Sequence, residues 1–276
     1  LIDDLLLLAG GAAQPNLSPK NLAAFEIPLP PLEEQKRIAA ILDKADAIRR
    51  KRQQAIELAD QFLSSIFLDM FGDPVTNPKG WKKKKILDLS EVKTGGTPSR
   101  VDPDNYCGDI PWVKTTEVVG GLIKGTGEMI TEKGRGSSNC SLYPPKSIVI
   151  AMYGQGKTRG RTGMLSIPCT TNQACAVILP GEKISQDYLW EYLKLSYEQI
   201  RGLGRGGNQP NLNLSLVKNF EVFVPPIEMQ DSYLEKVTKG QMLIEKQKAQ
   251  LVQEEKLFRS LAQQAFNGDL TQSKAA

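Results

Sequence analysis

The sequence contains no histidine. That absence removes the usual general base, the Ser-His and Cys-His couples and the commonest metal ligand, so any enzyme reading has to do without them. The four cysteines, Cys107, Cys140, Cys169 and Cys175, include no C-x-x-C pair, whereas metal sites normally carry such paired ligands. Neither a zinc site nor a cofactor is expected, and the thiols read as buried and free. No apolar run reaches the roughly 20 residues that a membrane-spanning helix needs. The opening LIDDLLLLAGG carries Asp3 and Asp4 where a signal peptide has positive charge. The chain reads as that of a cytoplasmic protein with no membrane partner. Acid is missing too: between Glu132 and Glu182 there is no Asp or Glu, while Lys133, Arg135, Lys146, Lys157, Arg159 and Arg161 fall inside that span. Net charge is only +4, so the distribution rather than the total points to a polyanion. A basic surface with no ligand is the alternative.

What is present is a repeat. QPNLSPKNLAAFEIPLPPLEEQ, from Gln14 to Gln35, aligns without a gap with QPNLNLSLVKNFEVFVPPIEMQ, from Gln209 to Gln230, at a constant offset of 195 residues. After each QPNL comes a short strand-like run (AFEIPL, NFEVFV), a Pro-Pro pair and a long stretch of helical periodicity. In the first stretch Ile38, Ile41, Ala45, Ile48, Ala55, Ala59, Phe62 and Ile66 recur at three- and four-residue steps, with Arg52 filling one position. This pattern predicts a coiled-coil-like seam. Glu33 and Glu34 in the first turn suit the helix dipole, and FGDPVTNPKG ends the helix because Gly and two prolines cannot continue it. The second stretch places Leu234, Val237, Ile244, Leu251, Phe258, Ala262 and Ala265 on a similar seam and stops at Asn267-Gly268. Each helix is expected to span roughly 55 Å. Neither can bury so narrow a stripe alone, so the two are expected to pair.

Between them, short β-rich runs such as SIVIAMY (Ser147 to Tyr153) and ACAVILP (Ala174 to Pro180) are broken by Gly, Pro, Asn and Thr turns, and DYLWEYLKLSYEQI (Asp187 to Ile200) predicts one amphipathic helix. The expected fold is α+β: one globular domain of short strands plus two long coiled-coil-forming helices.

These elements, in this order, resemble the specificity subunits of Type I restriction-modification systems, in which two target-recognition domains alternate with two conserved helices. The resemblance is carried by PLPPLEEQKRIAAILDKADAI (Pro28 to Ile48), FLDMFGDPVTNPKGW (Phe67 to Trp81), VKTGGTPSR and GDIPWVKTTEV (Val92 to Arg100, Gly108 to Val118), CTTNQAC (Cys169 to Cys175) and FEVFVPPIEMQ (Phe220 to Gln230). It implies residues 1–32 as the end of a first recognition domain, 33–71 as a spacer helix, 72–226 as a target-recognition domain, 227–268 as a second conserved helix and 269–276 as a tail. The chain is then a half-sized or truncated subunit. The resemblance further implies a non-catalytic, DNA-binding component that directs modification (adenine methyltransferase) subunits, and restriction subunits with them, to a split target in double-stranded DNA. A natural half subunit is expected to form a homodimer through its long helices.

Several stretches are candidates for chemistry. AMYGQGKT (Ala151 to Thr158) fits a loose phosphate-loop pattern, which requires a helix beginning at Lys157; RGRTGMLSIP shows no helical periodicity there. GLGRGG (Gly202 to Gly207) matches G-x-G-x-x-G in the reverse of the dinucleotide context. The loop GQGKTRGRTG makes better sense against DNA. Lys157 suits a phosphate, while Arg159 and Arg161 can fork onto guanine and, if the loop is extended, point the same way. In RGLGRGGNQPN, Arg205 supplies charge, and Asn208, Gln209 and Asn211 supply amides able to read adenine. QPNL fits an Asx-type turn that sets up the next strand equally well. Arg100, Lys114 and Thr115 sit in loops that match the family. A lysine run, Lys82 to Lys85, fits either phosphate contact or a solvated face. The reading is a DNA-recognition subunit; the alternatives are a P-loop nucleotide-hydrolysing enzyme and a helical protein-binding adaptor.

Overall fold

The computed structural model describes residues 18–23, 29–204, 211–268 and 270. In chain order its elements are α1 (Pro19–Ala23), the long α2 (Leu32–Phe71), β1 (Lys83–Lys85), α3 (Ile86–Leu89), β2 (Val92–Thr94), β3 (Tyr106–Val113), β4 (Leu122–Ile123), β5 (Met129–Ile130), α4 (Glu132–Gly136), β6 (Ile148–Ala151), β7 (Thr162–Leu165), β8 (Thr170–Thr171), β9 (Cys175–Ile178), α5 (Gln186–Leu195), α6 (Tyr197–Gly202), α7 (Leu214–Asn219), β10 (Glu221–Phe223) and the long α8 (Ile227–Asn267). The chain divides into two compact units, one of Leu1–Asp60 with Gln241–Ala276 and one of Gln61–Gly240. The second unit therefore takes in the end of α2 and the start of α8, which the sequence boundaries at 72 and 226 leave outside.

The repeated sequence has a local physical reason. At the start of α2 the Gln35 Nε2 donates to the Pro30 carbonyl at 2.8 Å, and at the start of α8 the Gln230 Nε2 donates to the Pro225 carbonyl at 2.8 Å. The first backbone bonds repeat too, Glu34 N–H to the Pro31 carbonyl at 2.9 Å and Met229 N–H to the Pro226 carbonyl at 3.1 Å. A Pro-Pro pair loses nothing at a helix start, where amide donors lack intrahelical partners anyway. Gln230 also accepts from the Ser185 N–H at 2.8 Å, which ties the start of α8 to the cap of α5.

In the first unit, α2 and α8 are joined by Arg52, whose Nε lies 2.8 Å from both Glu254 carboxylate oxygens and whose Nη1 reaches Gln250 Oε1 at 2.8 Å. Arg49 lies over the Phe258 ring at 5.5 Å. The polar residue in the seam is thus matched by polar residues on its partner.

Of the expected seam of α2, Ile38, Ile41, Ala45, Arg52, Ala59 and Ile66 are half-buried, whereas Ile48, Ala55 and Phe62 are exposed and their places are taken one residue later, at Arg49, Ile56 and Leu63. Ile48 and Phe62 are exposed, at 46% and 64%, whereas Ile56, Leu63 and Phe67 are buried. Ala45, Arg52, Ala59 and Ile66 are spaced by heptads, and so are Ile56 and Leu63, so the seven-residue period is kept and one of its two rows lies a residue further along than the sequence pattern suggests.

The last turn of α2 is closed without loose carbonyls. Gly72 N–H bonds to the Leu68 carbonyl, Lys79 Nζ to the carbonyls of Asp69 and Met70, and Trp81 Nε1 to that of Phe71. These are four carbonyls that helix geometry leaves unpaired. Gly72 has φ +84°, and a Cβ there would meet Pro78 Cγ at 2.6 Å, so only glycine makes this exit.

The second unit is built on a five-stranded sheet of order β2-β9-β6-β7-β4, antiparallel except for the β7–β4 pair. Strands β6, β7 and β9 are buried at every position, and β6 and β9 accordingly read as continuous apolar runs rather than alternating ones. A three-stranded sheet, β5-β3-β8, flanks it, and β1 pairs with β10 so that the beginning and end of the domain are held together. Three lysines of the run, Lys83–Lys85, form this β1 strand and are exposed. Lysines along a short edge strand discourage further strand pairing.

Within the same unit the end of α2 is anchored by rings. Phe67 lies 5.3 Å from Tyr188 and 5.6 Å from Tyr233, Phe71 lies 4.8 Å from Tyr188, and Tyr192 lies 4.7 Å from Phe223. The Tyr188 and Tyr192 hydroxyls donate to the carbonyls of Phe223 and Pro74, so these buried phenols are not left unbonded. The single helix expected over Asp187 to Ile200 is two, α5 and α6, broken at Ser196, which leaves ideal helical geometry at φ −87°, ψ 11°. Of the thiols, Cys140, Cys169 and Cys175 are buried, and burial pushes Cys169 up to about 11; Cys107, expected to be buried, is exposed.

Candidate nucleic-acid interface

The loop between β6 and β7 is a hairpin connection, closed by Gly160 N–H to the Ala151 carbonyl at 2.8 Å and Ala151 N–H to the Arg161 carbonyl at 2.9 Å. Inside it the chain turns twice, through Thr158 N–H to the Gln155 carbonyl at 3.2 Å and Arg161 N–H to the Thr158 carbonyl at 3.0 Å. It is not extended, so Arg159 and Arg161 do not share a face by alternation. Lys157 is exposed and Arg161 is half-buried, but Arg159 is only 8% exposed and its Nε is buried without a partner. The loop also rules out a phosphate-loop fold, because after Lys157 it enters β7 rather than a helix.

Helix α6 braces this loop. The Tyr197 hydroxyl donates to the Lys157 carbonyl at 2.9 Å and accepts from Arg201 Nη1 at 3.1 Å, and Arg201 Nη1 also reaches the Arg159 carbonyl at 3.5 Å. Gly160 has φ +85°, and a Cβ there would sit 3.2 Å from the Arg201 backbone nitrogen, so glycine permits both the turn and the close approach. Leu212 N–H bonds to the Met152 carbonyl at 3.0 Å, which brings the half-buried Asn211 beside the same hairpin. Two candidate stretches far apart in sequence are therefore neighbours. Arg205, Asn208 and Gln209 lie outside the described residues, as do parts of QPNL and GLGRGG.

Tertiary pairing reshapes the acid-free stretch. Lys133 reaches Asp102 at 2.9 Å and Asp104 at 3.1 Å, Arg135 pairs with Glu132 at 2.8 Å, and Lys146 pairs with Asp187 at 2.7 Å. Lys157, Arg159 and Arg161 have no acidic partner among the described residues. Sequence reasoning missed Tyr197 and Arg201 as parts of this site, because their role depends on α6 folding against a distant hairpin.

Arg100 and Lys114 form a separate cluster. Both bond to Glu128, Arg100 through a fork whose Nη2 lies 3.0 Å from Oε2 and Lys114 Nζ at 3.1 Å from the same oxygen. The Arg100 guanidinium also lies 4.1 Å from the centre of the Tyr106 ring. Thr115, half-buried, opens the 3-10 turn that follows Lys114. The Arg100 hydrogen bonds hold the Glu128 carboxyl below its ordinary 4.5, with burial opposing and Lys114 adding to the effect. The cluster's contribution to stability is thus present in full above that ordinary value and is lost as pH falls through the lowered one. Glu128→Gln is expected to cost about 1 kcal/mol of stability at neutral pH, measured by denaturant unfolding. It also frees two cations: if they face DNA, the salt slope of duplex binding steepens by at most about two, and an unaltered slope assigns the cluster a structural role alone.

The family model described as Type I restriction modification DNA specificity domain matches residues 2–58 and 78–254. The chain belongs to this family. The matched residues take in about two thirds of each long helix and most of the sheet unit, so the hairpin and the Arg100 cluster lie within the specificity domain. The Type I restriction enzyme MjaIX specificity subunit of Methanocaldococcus jannaschii is 25% identical over 236 residues, covering 79% of this chain and 54% of that subunit. The HindI specificity subunit of Haemophilus influenzae is 29% identical over 164 residues, covering 58% of this chain and 35% of its own length. The chain spans about half or less of the length of these curated relatives. The crystal structure of the Type-I restriction-modification system S subunit from M. genitalium shares the fold, with a TM-score of 0.62 at 17% identity over 94% of this chain and 68% of that one. Among the described residues no helix is long and apolar enough to cross a membrane.

Proposed function

We propose that this chain supplies DNA sequence recognition to a Type I restriction-modification assembly in the cytoplasm, without catalysing a reaction itself. Membership of the specificity-domain family is the observation that carries this reading. The sheet unit takes one part of a split target in double-stranded DNA. Lys157 and Arg161 lie on the DNA side, with Asn211 beside them and Arg205, Asn208 and Gln209 in the adjoining segment. Arg159, being buried, acts by holding the hairpin rather than by reading a base. Arg100, Lys114 and Thr115 form a second contact region. Modification subunits, and restriction subunits with them, are directed by the bound chain, and two copies of the chain pair through their long helices to present two such units.

Support for the surface comes from charge. Cations without internal partners are the ones available to neutralise phosphates and release counterions. The test is to express the chain with its modification subunits and map methylated adenines across the host genome. Methylation at one interrupted sequence motif is expected, and it disappears when the chain is omitted. Sedimentation at micromolar concentration tests the pairing: a chain that stays monomeric with and without DNA contradicts the homodimer.

A further inference from the structure

All seven tyrosines lie among the described residues, and they are used unevenly. Five of them, Tyr106, Tyr143, Tyr188, Tyr192 and Tyr197, donate the hydroxyl to a backbone carbonyl, and Tyr233 is buried. Tyr153 alone is exposed, at 44%, and its hydroxyl has no hydrogen-bond partner among the described residues. It stands in the β6–β7 hairpin, on the loop that also carries Lys157 and Arg161. Its place there is fixed. Met152 before it is buried and tied on both sides, its N–H to the Ala174 carbonyl at 2.8 Å and its carbonyl to the Leu212 N–H at 3.0 Å. Gly154 after it has φ +144°, and a Cβ there would meet Thr158 Cβ at 2.7 Å, so the chain turns back on itself directly after Tyr153. The exposure of this ring is therefore built into the hairpin and is not a product of slack in the loop.

We infer that Tyr153 reads a thymine, its ring lying against the C5-methyl group in the major groove. The inference rests on the DNA-recognition reading above and gives that surface a base-reading side chain. A fixed aromatic ring suits recognition because it brings contact area at little cost in conformational freedom. Which part of DNA it meets follows from what a duplex offers. Stacked bases hide their faces, and of the groups on their edges in the major groove only the thymine methyl is apolar. A ring set against any other edge desolvates donors and acceptors that it cannot satisfy. Lys157 and Arg161 supply charge, which attracts the backbone of any sequence alike. The ring adds discrimination, and the contact needs the ring rather than the hydroxyl.

The full chain, assembled with its modification subunits, is titrated with fluorescent duplexes that carry the interrupted motif found by methylation mapping. Because the modified base is adenine, every such motif holds thymine on the opposite strand. In a matched set each thymine is replaced singly by deoxyuridine, which removes the methyl group and nothing else. The wild-type chain is expected to lose about fourfold in affinity at one of these positions, the worth of one buried carbon group. Tyr153→Ala is expected to bind the parent duplex about tenfold more weakly, as for an aromatic anchor of an interface, and to lose the response to deoxyuridine. Tyr153→Phe keeps the ring and is expected to restore both. Salt slope and binding to unrelated duplex stay as they were in both variants, because no charge is removed. The inference is overturned, and the DNA reading stands, if the sequence-selective wild-type chain is indifferent to every deoxyuridine or if Tyr153→Ala keeps the response. Loss of modification-subunit binding in Tyr153→Ala makes the ring a protein contact and likewise overturns the inference. A wild-type assembly that binds all sequences equally, or no duplex at all, overturns the DNA reading itself and the inference with it.

Discussion

Phe67→Ala is expected to lower the free energy of unfolding by about 3–5 kcal/mol, the usual cost of emptying a large aromatic site in a core. Phe67 is fully buried and packs on Phe71, Tyr188, Tyr192 and Tyr233, with ring centroids 5.0 to 6.4 Å apart. Those rings come from the end of α2, from α5 and from the start of α8, so they cannot close on the void independently. Phe62→Ala is the matched control. Phe62 belongs to the heptad stripe read from the sequence, yet it is 64% exposed, and its loss is expected to cost under about 0.5 kcal/mol. Denaturant unfolding of the two variants decides between the two stripes: a costly Phe62→Ala with a mild Phe67→Ala would restore the heptad assignment.

The second large effect concerns spacing. If α2 and α8 set the distance between two recognition units, inserting four residues near Ala55 with a matching insertion near Lys246 lengthens the pair by about 6 Å. The matched insertion keeps Arg52 opposite Glu254, whose bonds join the two helices in the first unit. Four residues rotate the helix by only about 40° beyond a full turn, which the seam can absorb. Against roughly 3.4 Å per base pair, the interruption between half-sites is expected to grow by at most about two base pairs while the half-site bases stay the same. Selecting preferred sites from random DNA, with parent and lengthened chains each assembled with modification subunits, measures both. Altered half-site bases at a fixed interruption would mean that the helices carry no spacing function.

Much of the fold is legible in the sequence, for reasons that are local. The Pro-Pro starts at Pro30 and Pro225, the acidic first turn at Glu33 and the glycine exit at Gly72 each act through bonds within a few residues, so the long helices declare themselves. The buried strands β6 and β9 are visible as short apolar runs because both their faces are covered. One row of the α2 seam, Ala45, Arg52, Ala59 and Ile66, is legible along the helix, whereas the other is displaced by one residue, because neighbouring apolar positions such as Ala55 and Ile56 both fit the pattern and only packing chooses between them.

The site depends on tertiary structure. Nothing adjacent in sequence reveals that Lys133 and Lys146 are neutralised by Asp102 and Asp187, or that Arg100 and Lys114 share Glu128. Which cations remain unpaired depends on acids that arrive from distant segments, and a sequence displays only the near ones. Arg159 is equivalent to Arg161 only in an extended loop; two turns send it into the domain instead. The brace from Tyr197 to the Lys157 carbonyl exists only once α6 lies against the β6–β7 hairpin. Helix starts and apolar runs follow from short-range sterics and hydrogen bonds, so the order of residues is enough to specify them. Charge pairing and cavity shape are sums over the whole packed unit, and they take form only in the folded chain.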